Sequence, residues 1–180
     1  MRKFILFLLF AIAVNANAGS RSVADNPYVG LRQQALSLKP TDIDLTREKF
    51  PHEVWGVVVE VGEGSQSYTL VVLADMTVSL YLSSGGGMMG AGDIEGVLQD
   101  SGALMIGANH LISQASITRD FSLPESQQVS FYFLTFDGIA SYKADFITLQ
   151  QSRNDWTTMY VISRKVVDRI MAAYSEAPNA

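Results

Sequence analysis

The pattern of apolar positions between residues 54 and 84 predicts three β-strands. Apolar, largely β-branched residues fill VWGVVVEVG (54–62), SYTLVVLA (67–74) and TVSLYLSS (77–84), and short polar segments separate these runs. Such runs are typical of strands, and short connections between them favour antiparallel pairing. Apolar side chains are expected on both sides of the first strand, with Trp55, Val57, Val59 and Val61 on one side and Val54 and Val58 on the other. We therefore expect a sheet that is covered on both faces.

A second pattern, with apolar residues three and four positions apart, predicts three helices. The first, residues 28–39, follows Pro27, which suits a first helical turn, and it ends at Pro40. The second is predicted over 93–117 with Asp93 as its N-cap. Glycine inside a helix costs roughly 1 kcal/mol relative to alanine, so the glycines of this helix predict close approach to a neighbouring element. These glycines are Gly96, Gly102 and Gly107.

The third helix, WTTMYVISRKVVDRIMAAY, is predicted to begin at a capping box formed by Ser152 and Asp155. Before it, residues 127–138 and 139–150 form a predicted hairpin about Asp137-Gly138. Its aromatic residues are expected to form one cross-strand cluster in the core, comprising Tyr132, Phe133, Phe136, Tyr142 and Phe146. The element order α-βββ-α-ββ-α predicts an α+β fold with a five-stranded antiparallel sheet and helices packed on its faces.

One turn departs from the usual chemistry of short hairpins. A tight two-residue turn at Asp75-Met76 would normally carry glycine at its second position, because both central residues need a positive φ. Methionine at position 76 therefore predicts a longer loop of type I.

The N-terminal pattern indicates export. Arg2 and Lys3 precede the apolar run from Phe4 to Val14, and Ala16-Asn17-Ala18 follows it, which is typical of a signal peptide spanning residues 1–18. The run is shorter than the ~20 residues that usually span a membrane. An uncleaved N-terminal anchor is the alternative. Residues 19–27 then form a flexible tether, 28–176 a single domain and 177–180 a frayed tail, and the expected location is periplasmic or secreted.

Charge and cysteine content narrow the range of partners. The chain of 180 residues has 13 basic and 18 acidic side chains, and the signal peptide contains two basic and no acidic ones, so the mature chain carries a net charge of −7. A negative surface repels nucleic acid and anionic lipid. We therefore expect no nucleic-acid partner and, after signal cleavage, no membrane partner. The absence of cysteine excludes disulfides and thiol chemistry.

A glycine-rich segment, SSGGGMMGAGD (83–93), lies between the third strand and the second helix. Gly85, Gly87 and Gly90 match G-x-G-x-x-G, but a dinucleotide-binding unit also needs a parallel strand after the helix. The strands that follow are predicted to form a hairpin instead, and no lysine follows the last glycine as a P-loop requires. No cofactor is implied.

Two interpretations of this segment remain open. The glycines could only turn the chain, because they tolerate a positive φ, or their backbone N–H groups could hold an anion or a peptide carbonyl. Met88 and Met89 add adaptable apolar surface that suits contact with another protein. The candidate ligand-binding residues are Ser84, Gly85, Gly86, Gly87, Met88, Met89, Gly90, Gly92 and Asp93.

The sequence shows no catalytic constellation. His110 is expected on the exposed face of the second helix, and His52 lies beside Glu53 without a third metal ligand at a recognisable spacing. Ser83 and Ser84 lack the flanking glycines of a hydrolase nucleophile. We therefore predict a protein that is not an enzyme and binds no metal, with a hydrolase of unrecognised site as the weaker alternative.

The stretch WGVVVEVG…TLVVLADMTVSLYLSSGGGMMGAG resembles a widespread bacterial family of uncharacterised proteins that share an L-A-D-G-T-V-S-L-Y and glycine-run pattern, although Met76 stands where that pattern has glycine. The element order resembles the profilin-like folds, including the roadblock and longin relatives. This resemblance implies dimerisation and a role as a binding platform.

Together these observations predict an exported, non-enzymatic protein-interaction module. It is expected to bind a protein partner or itself as a homodimer, through a sheet edge or an apolar helix face. The alternative is a small-ligand or anion sensor that uses the Gly85–Gly92 loop and the N-terminus of the following helix.

Overall fold

The computed structural model of the protein describes residues 27–176. Three predicted segments lie outside the described residues: the signal peptide, the tether up to residue 26 and the tail 177–180. Their assignment is a prediction from the sequence alone. The described helices are α1 (Pro27–Ser37), α2 (Val97–Leu111), α3 (Phe146–Ser152) and α4 (Asp155–Glu176). The strands are β1 (Val54–Glu63), β2 (Gln66–Leu73), β3 (Val78–Leu82), β4 (Gly87–Met89), β5 (Ser116–Ile117), β6 (Gln128–Thr135) and β7 (Gly138–Asp145).

All seven strands belong to one antiparallel sheet with the order β4-β3-β2-β1-β6-β7-β5. The α+β class and the antiparallel sheet with helices are confirmed, but the predicted number of five strands is wrong. The two additional strands, β4 and β5, are three and two residues long and form the two edges. Strands this short are not marked by a repeat of apolar positions. The sequence pattern therefore assigned the residues of β4 to the glycine-rich segment and those of β5 to the end of the second helix.

The sheet is covered on both faces, as predicted. α2, α3 and α4 pack on one face through apolar residues such as Leu104, Met159 and Val166. α1 and the segments around residues 43–50 and 121 cover the other face. The β-strand residues are correspondingly apolar on both sides, and nine of the ten residues of β1 are buried.

Val54 and Trp55 each lie on the opposite face from the one predicted, since Val54 packs with Val57 and Trp55 with Val58. Val54 pairs with Thr135 and Gly56 with Leu134, so Trp55 is an extra residue on β1 with no partner on β6. Such a bulge shifts the alternation of side chains by one position. Trp55 consequently packs on the α1 face with Val58, while Val57 points to the α2–α4 face.

The predicted aromatic cluster is divided between the two faces, because neighbouring residues of a strand point in opposite directions. Phe133 and Tyr142 stack on Trp156 of α4, with ring centroids 5.8 and 3.8 Å apart respectively. Phe146 packs edge-on against a tyrosine of the same helix. Tyr132 and Phe136 belong to the α1 face.

Several predicted boundaries of helices and strands are wrong. α2 begins at Val97 after Gly96, and Asp93 instead ends a short 3-10 turn, so Asp93 is not the N-cap. A second 3-10 turn and β5 occupy the end of the predicted 93–117 helix. Residues 146–150 form most of α3 rather than the end of a strand.

Two local predictions are displaced by one or two residues. The cap of α4 is reciprocal between Asn154 and Thr157, with the Thr157 N–H donating to Asn154 Oδ1 at 3.0 Å and the Asn154 N–H to Thr157 Oγ1 at 3.2 Å. Ser152, predicted as part of this cap, is the last residue of α3. In the β6–β7 turn Thr135 pairs with Gly138, so the residues between them are Phe136 and Asp137.

A buried ion pair holds α1 on the sheet. Arg32 Nε lies 2.6 Å from Glu60 Oε1, and Arg32 Nη2 lies 2.8 Å from Glu60 Oε2, with 7% and 0% of the two residues exposed. Arg32 also donates to the Ser122 carbonyl, and Thr69 Oγ1 donates to Glu60. Burial alone would lower the pKa of Arg32, but the hydrogen bonds and charge of Glu60 outweigh it and raise that pKa.

Glu60→Gln is expected to lower the free energy of unfolding by about 3–5 kcal/mol, because Arg32 would stay buried without its counter-charge. Arg32→Met combined with Glu60→Gln removes both charges and should recover part of this loss. Urea unfolding of Glu60→Gln, of Arg32→Met and of the double variant measures the difference. A double variant as unstable as the sum of the two single variants would contradict a coupled pair.

The β2–β3 turn is longer than two residues, as Met76 predicts. The Met76 N–H donates to the Leu73 carbonyl at 3.1 Å, and the Leu73 N–H donates to the Thr77 carbonyl at 2.9 Å. Met76 itself takes the left-handed conformation with φ 72°. Side chains other than glycine are strained there, by about 1–2 kcal/mol.

Met76→Gly should therefore raise the free energy of unfolding by about 1 kcal/mol, because glycine relieves this strain. Met76→Ala is the matched control, since it removes the same long side chain but keeps the Cβ atom. Denaturant unfolding should give a higher free energy of unfolding for Met76→Gly than for Met76→Ala. If alanine is equally stabilising, the strain at this position is not what the substitution relieves.

Candidate functional site

The predicted ligand-binding residues do not form one loop in front of α2. Ser84, Gly85 and Gly86 form the turn between β3 and β4, in which the Gly85 N–H donates to the Leu82 carbonyl at 3.0 Å. Gly87, Met88 and Met89 are β4, Gly90 follows this strand, and Gly92 and Asp93 belong to the 3-10 turn. The segment is thus a hairpin with a connection to α2. Ligand binding by these residues stays a prediction.

The hairpin itself accounts for its consecutive glycines. Gly85, Gly86 and Gly87 have φ values of 101°, 85° and 139°, which other residues rarely adopt. A Cβ atom at Gly87 would also collide with the backbone carbonyl oxygen of Leu80 on β3. These glycines are therefore explained by the shape of the chain, whether or not a ligand binds.

The N-terminus of α2 is occupied by an ion pair. Arg169 Nε of α4 donates to Asp100 Oδ2 in the first turn of α2 at 2.8 Å, and Arg169 Nη1 lies 3.4 Å from the Glu95 carbonyl oxygen. A Cβ atom at Gly96, the N-cap, would lie 2.5 Å from the Arg169 guanidinium carbon. The Asp100 carboxylate already supplies the negative charge that a helix N-terminus attracts.

The two histidines lie in different surroundings. His52 packs edge-on against Phe50, with ring centroids 5.3 Å apart. His110 is exposed, as predicted, and its Nε2 lies 3.6 Å from Asp155 Oδ2. Within residues 27–176, no group of three or more potential ligands is placed to hold a metal ion. In the same range, none of the helices is both long and apolar enough to cross a membrane.

Two buried polar groups serve the packing of the sheet. Burial raises the pKa of Tyr132 to about 12, and the negative charge of Glu60 adds to this effect beneath α1. On the other face, burial raises the pKa of Tyr68 despite its hydrogen bond from Arg164. Both tyrosines are buried, so neither offers a hydroxyl to a solvent-borne substrate.

An apolar groove of about 370 Å³ is the feature that the sequence did not predict. It lies between α2, the β2–β3 turn and residues 50–52, and we call it the α2 groove. Among the described residues that line it there is no Asp, Glu, Lys or Arg, and His52 is the one titratable side chain. The residues used below are Phe50, His52, Met76, Leu98, Gly102 and Ile106.

Three large apolar side chains project from the border of this groove. Met76 is 66% exposed, Leu98 41% and Ile106 75%. Single exposed apolar residues are common, and it is the grouping of these three around one groove that distinguishes them. The spacing of apolar residues over 93–117 predicts a buried stripe that includes Leu98 but not Ile106. The exposure of Ile106 agrees with that pattern, whereas Leu98 faces outward instead of into the core.

Gly102 has no explanation within the fold of the described residues. A Cβ atom at this position would meet nothing within 4 Å, and Gly102 lies in the middle of α2 on its exposed side. Gly107 differs, because a Cβ there would lie 2.5 Å from Met159 Sδ of α4. The predicted close approach is therefore confirmed for Gly107, whereas Gly102 leaves open space beside the α2 groove.

Comparison of the chain with protein-family models, with curated proteins and with solved structures finds no match. The resemblance to the bacterial family and to the profilin-like folds stays a prediction. Function has to be argued from the geometry of a site, since a fold alone does not imply one.

We expect Gly87→Ala to lower the free energy of unfolding by more than about 3 kcal/mol, because both its φ and the collision with β3 oppose a side chain. Gly85→Ala is the matched control: it has a positive φ but open space, so its cost should stay near 1–2 kcal/mol. Urea unfolding measures both values. Equal losses would show that the close approach of β4 to β3 does not require glycine.

Proposed function

We propose that the protein is an exported, non-enzymatic interaction module that binds another protein chain, itself or a partner, through α2. The contact surface consists of the α2 groove and of Leu98, Gly102 and Ile106, which we call the α2 stripe. The observation that carries this proposal is an open glycine between two exposed branched apolar residues on the border of an apolar groove.

The helix face is favoured over a sheet edge. The edge strands β4 and β5 contain only three and two residues, so each presents few backbone groups to a further strand. The α2 stripe extends over two turns of a 15-residue helix and is continuous with the groove.

The groove is suited to contact rather than to chemistry. Nucleophilic catalysis needs a nucleophile and a base in hydrogen-bonding reach of each other. Ser101 Oγ in the groove has no hydrogen-bond partner among the described residues, and Asn109 is bonded to the Val54 backbone, so neither is paired with His52. The projecting side chains Met76 and Ile106 also favour a protein surface over a small molecule, because they extend into solvent instead of enclosing a cavity.

Site-specific photo-crosslinking tests the proposal. A photoreactive amino acid replaces Ile106 in the exported chain, and Val161 of α4, which is 47% exposed, is replaced in the control. After illumination of the producing cells, we expect a discrete protein adduct from position 106 and none from position 161. The absence of an adduct at 106, or equal adducts at both positions, would contradict a binding surface on α2.

A further inference from the structure

We infer that the chain bound by the α2 stripe is a second copy of this protein, with the two α2 helices crossing antiparallel at Gly102. This inference rests on the proposed function and adds the identity of the partner and the geometry of the contact. Four observations on α2 and its surroundings support it.

The first observation is the symmetry of the α2 stripe. Leu98 and Ile106 lie four residues before and four residues after Gly102, so the stripe has a branched apolar residue at each end in either direction. In a two-fold contact the same patch on both copies meets itself. An antiparallel crossing at Gly102 would place Gly102 against Gly102 of the second copy and Leu98 against its Ile106.

The second observation is the space at Gly102. Helices pack through ridges formed by residues four apart, and a missing side chain at the crossing point lets the two backbones approach closely. A glycine here costs roughly 1 kcal/mol relative to alanine, and nothing within 4 Å of its potential Cβ compensates for that cost inside the chain. A second helix lying across this position would use the space.

The third observation is the distribution of charge. The sequence has a net charge of −5, so a contact between two copies is least opposed at a surface that brings no like charges close together. The α2 stripe and the α2 groove contain no acidic or basic residue apart from His52. Asp100, which lies within the same stretch of helix, is turned toward α4 and paired with Arg169 at 2.8 Å.

The fourth observation is that exposed apolar side chains and the α2 groove lie side by side on one surface patch. Ile106 and Met76 project into solvent beside a groove of about 370 Å³. A two-fold interface has to be complementary to itself, so that the projections of one copy enter the groove of the other. The patch carries both parts that such a contact needs, whereas a surface with projections alone would lack the recess.

Cross-linking between engineered cysteines tests the geometry, and the natural chain contains no cysteine that would interfere. Leu98→Cys and Ile106→Cys are made as separate full-chain variants and treated with a short bis-maleimide, alone and mixed. We expect a covalent dimer chiefly in the mixture, because position 98 faces position 106. Equivalent positions would lie about 12 Å apart along the helices, at 1.5 Å per residue.

Cross-linking of each variant alone, with no gain on mixing, would indicate a parallel contact and overturn the antiparallel crossing. No covalent dimer in any sample would overturn the inference altogether.

A matched pair of glycine substitutions tests the role of Gly102. Gly30 of α1 is also exposed inside a helix, and a Cβ atom there would likewise meet nothing within 4 Å. Both Gly102→Ala and Gly30→Ala should stabilise the folded monomer. We expect only Gly102→Ala to raise the dimer dissociation constant, by about tenfold or more, which corresponds to at least 1.4 kcal/mol.

Light scattering over a range of protein concentrations measures this constant. A dissociation constant that is unchanged by Gly102→Ala would overturn the crossing at Gly102. A natural chain that stays monomeric throughout, while position 106 still cross-links to a different protein in cells, would overturn the self-association but leave the proposed function standing. If position 106 forms no adduct at all, both fail.

Discussion

A sheet whose strands are apolar on both sides has to be covered on both faces, and most of this fold follows from that constraint. Three helices cover one face with apolar side chains of their own. The other face depends on α1, in which only four of eleven residues are buried. Since so little apolar surface holds α1, the ion pair between Arg32 and Glu60 supplies its orientation, and the bidentate geometry permits one placement of the helix on the sheet.

The sequence predicts the elements that repeat their pattern over several turns or strand residues. β1, β2 and β3, the β6–β7 hairpin, α1 and α4 all appear at or within a few residues of their predicted positions. The sequence did not predict β4, β5 and α3, because each is too short to show a repeat of apolar positions. Backbone hydrogen bonding to neighbouring segments decides their secondary structure. The bulge at Trp55 was missed for a related reason: one inserted residue changes the face of its side chain without changing composition.

The roles of the individual glycines in and near the candidate site could not be predicted from the sequence. The consecutive glycines at 85–87 attract attention, yet a hairpin turn and the approach of β4 to β3 account for them. The isolated glycines of α2 are less conspicuous and look alike in sequence. Only the structure separates Gly107, which contacts α4, from Gly102, which faces open space. The difference arises from long-range packing, which no local window of residues contains.

The short strands at the two edges of the sheet affect how the protein behaves at high concentration. Long, flat edges allow one molecule to extend the sheet of the next and to polymerise into fibres. Here β4 ends after three residues at Met89, and β5 ends after two. Neither β4 nor β5 therefore offers a long template for indefinite strand addition.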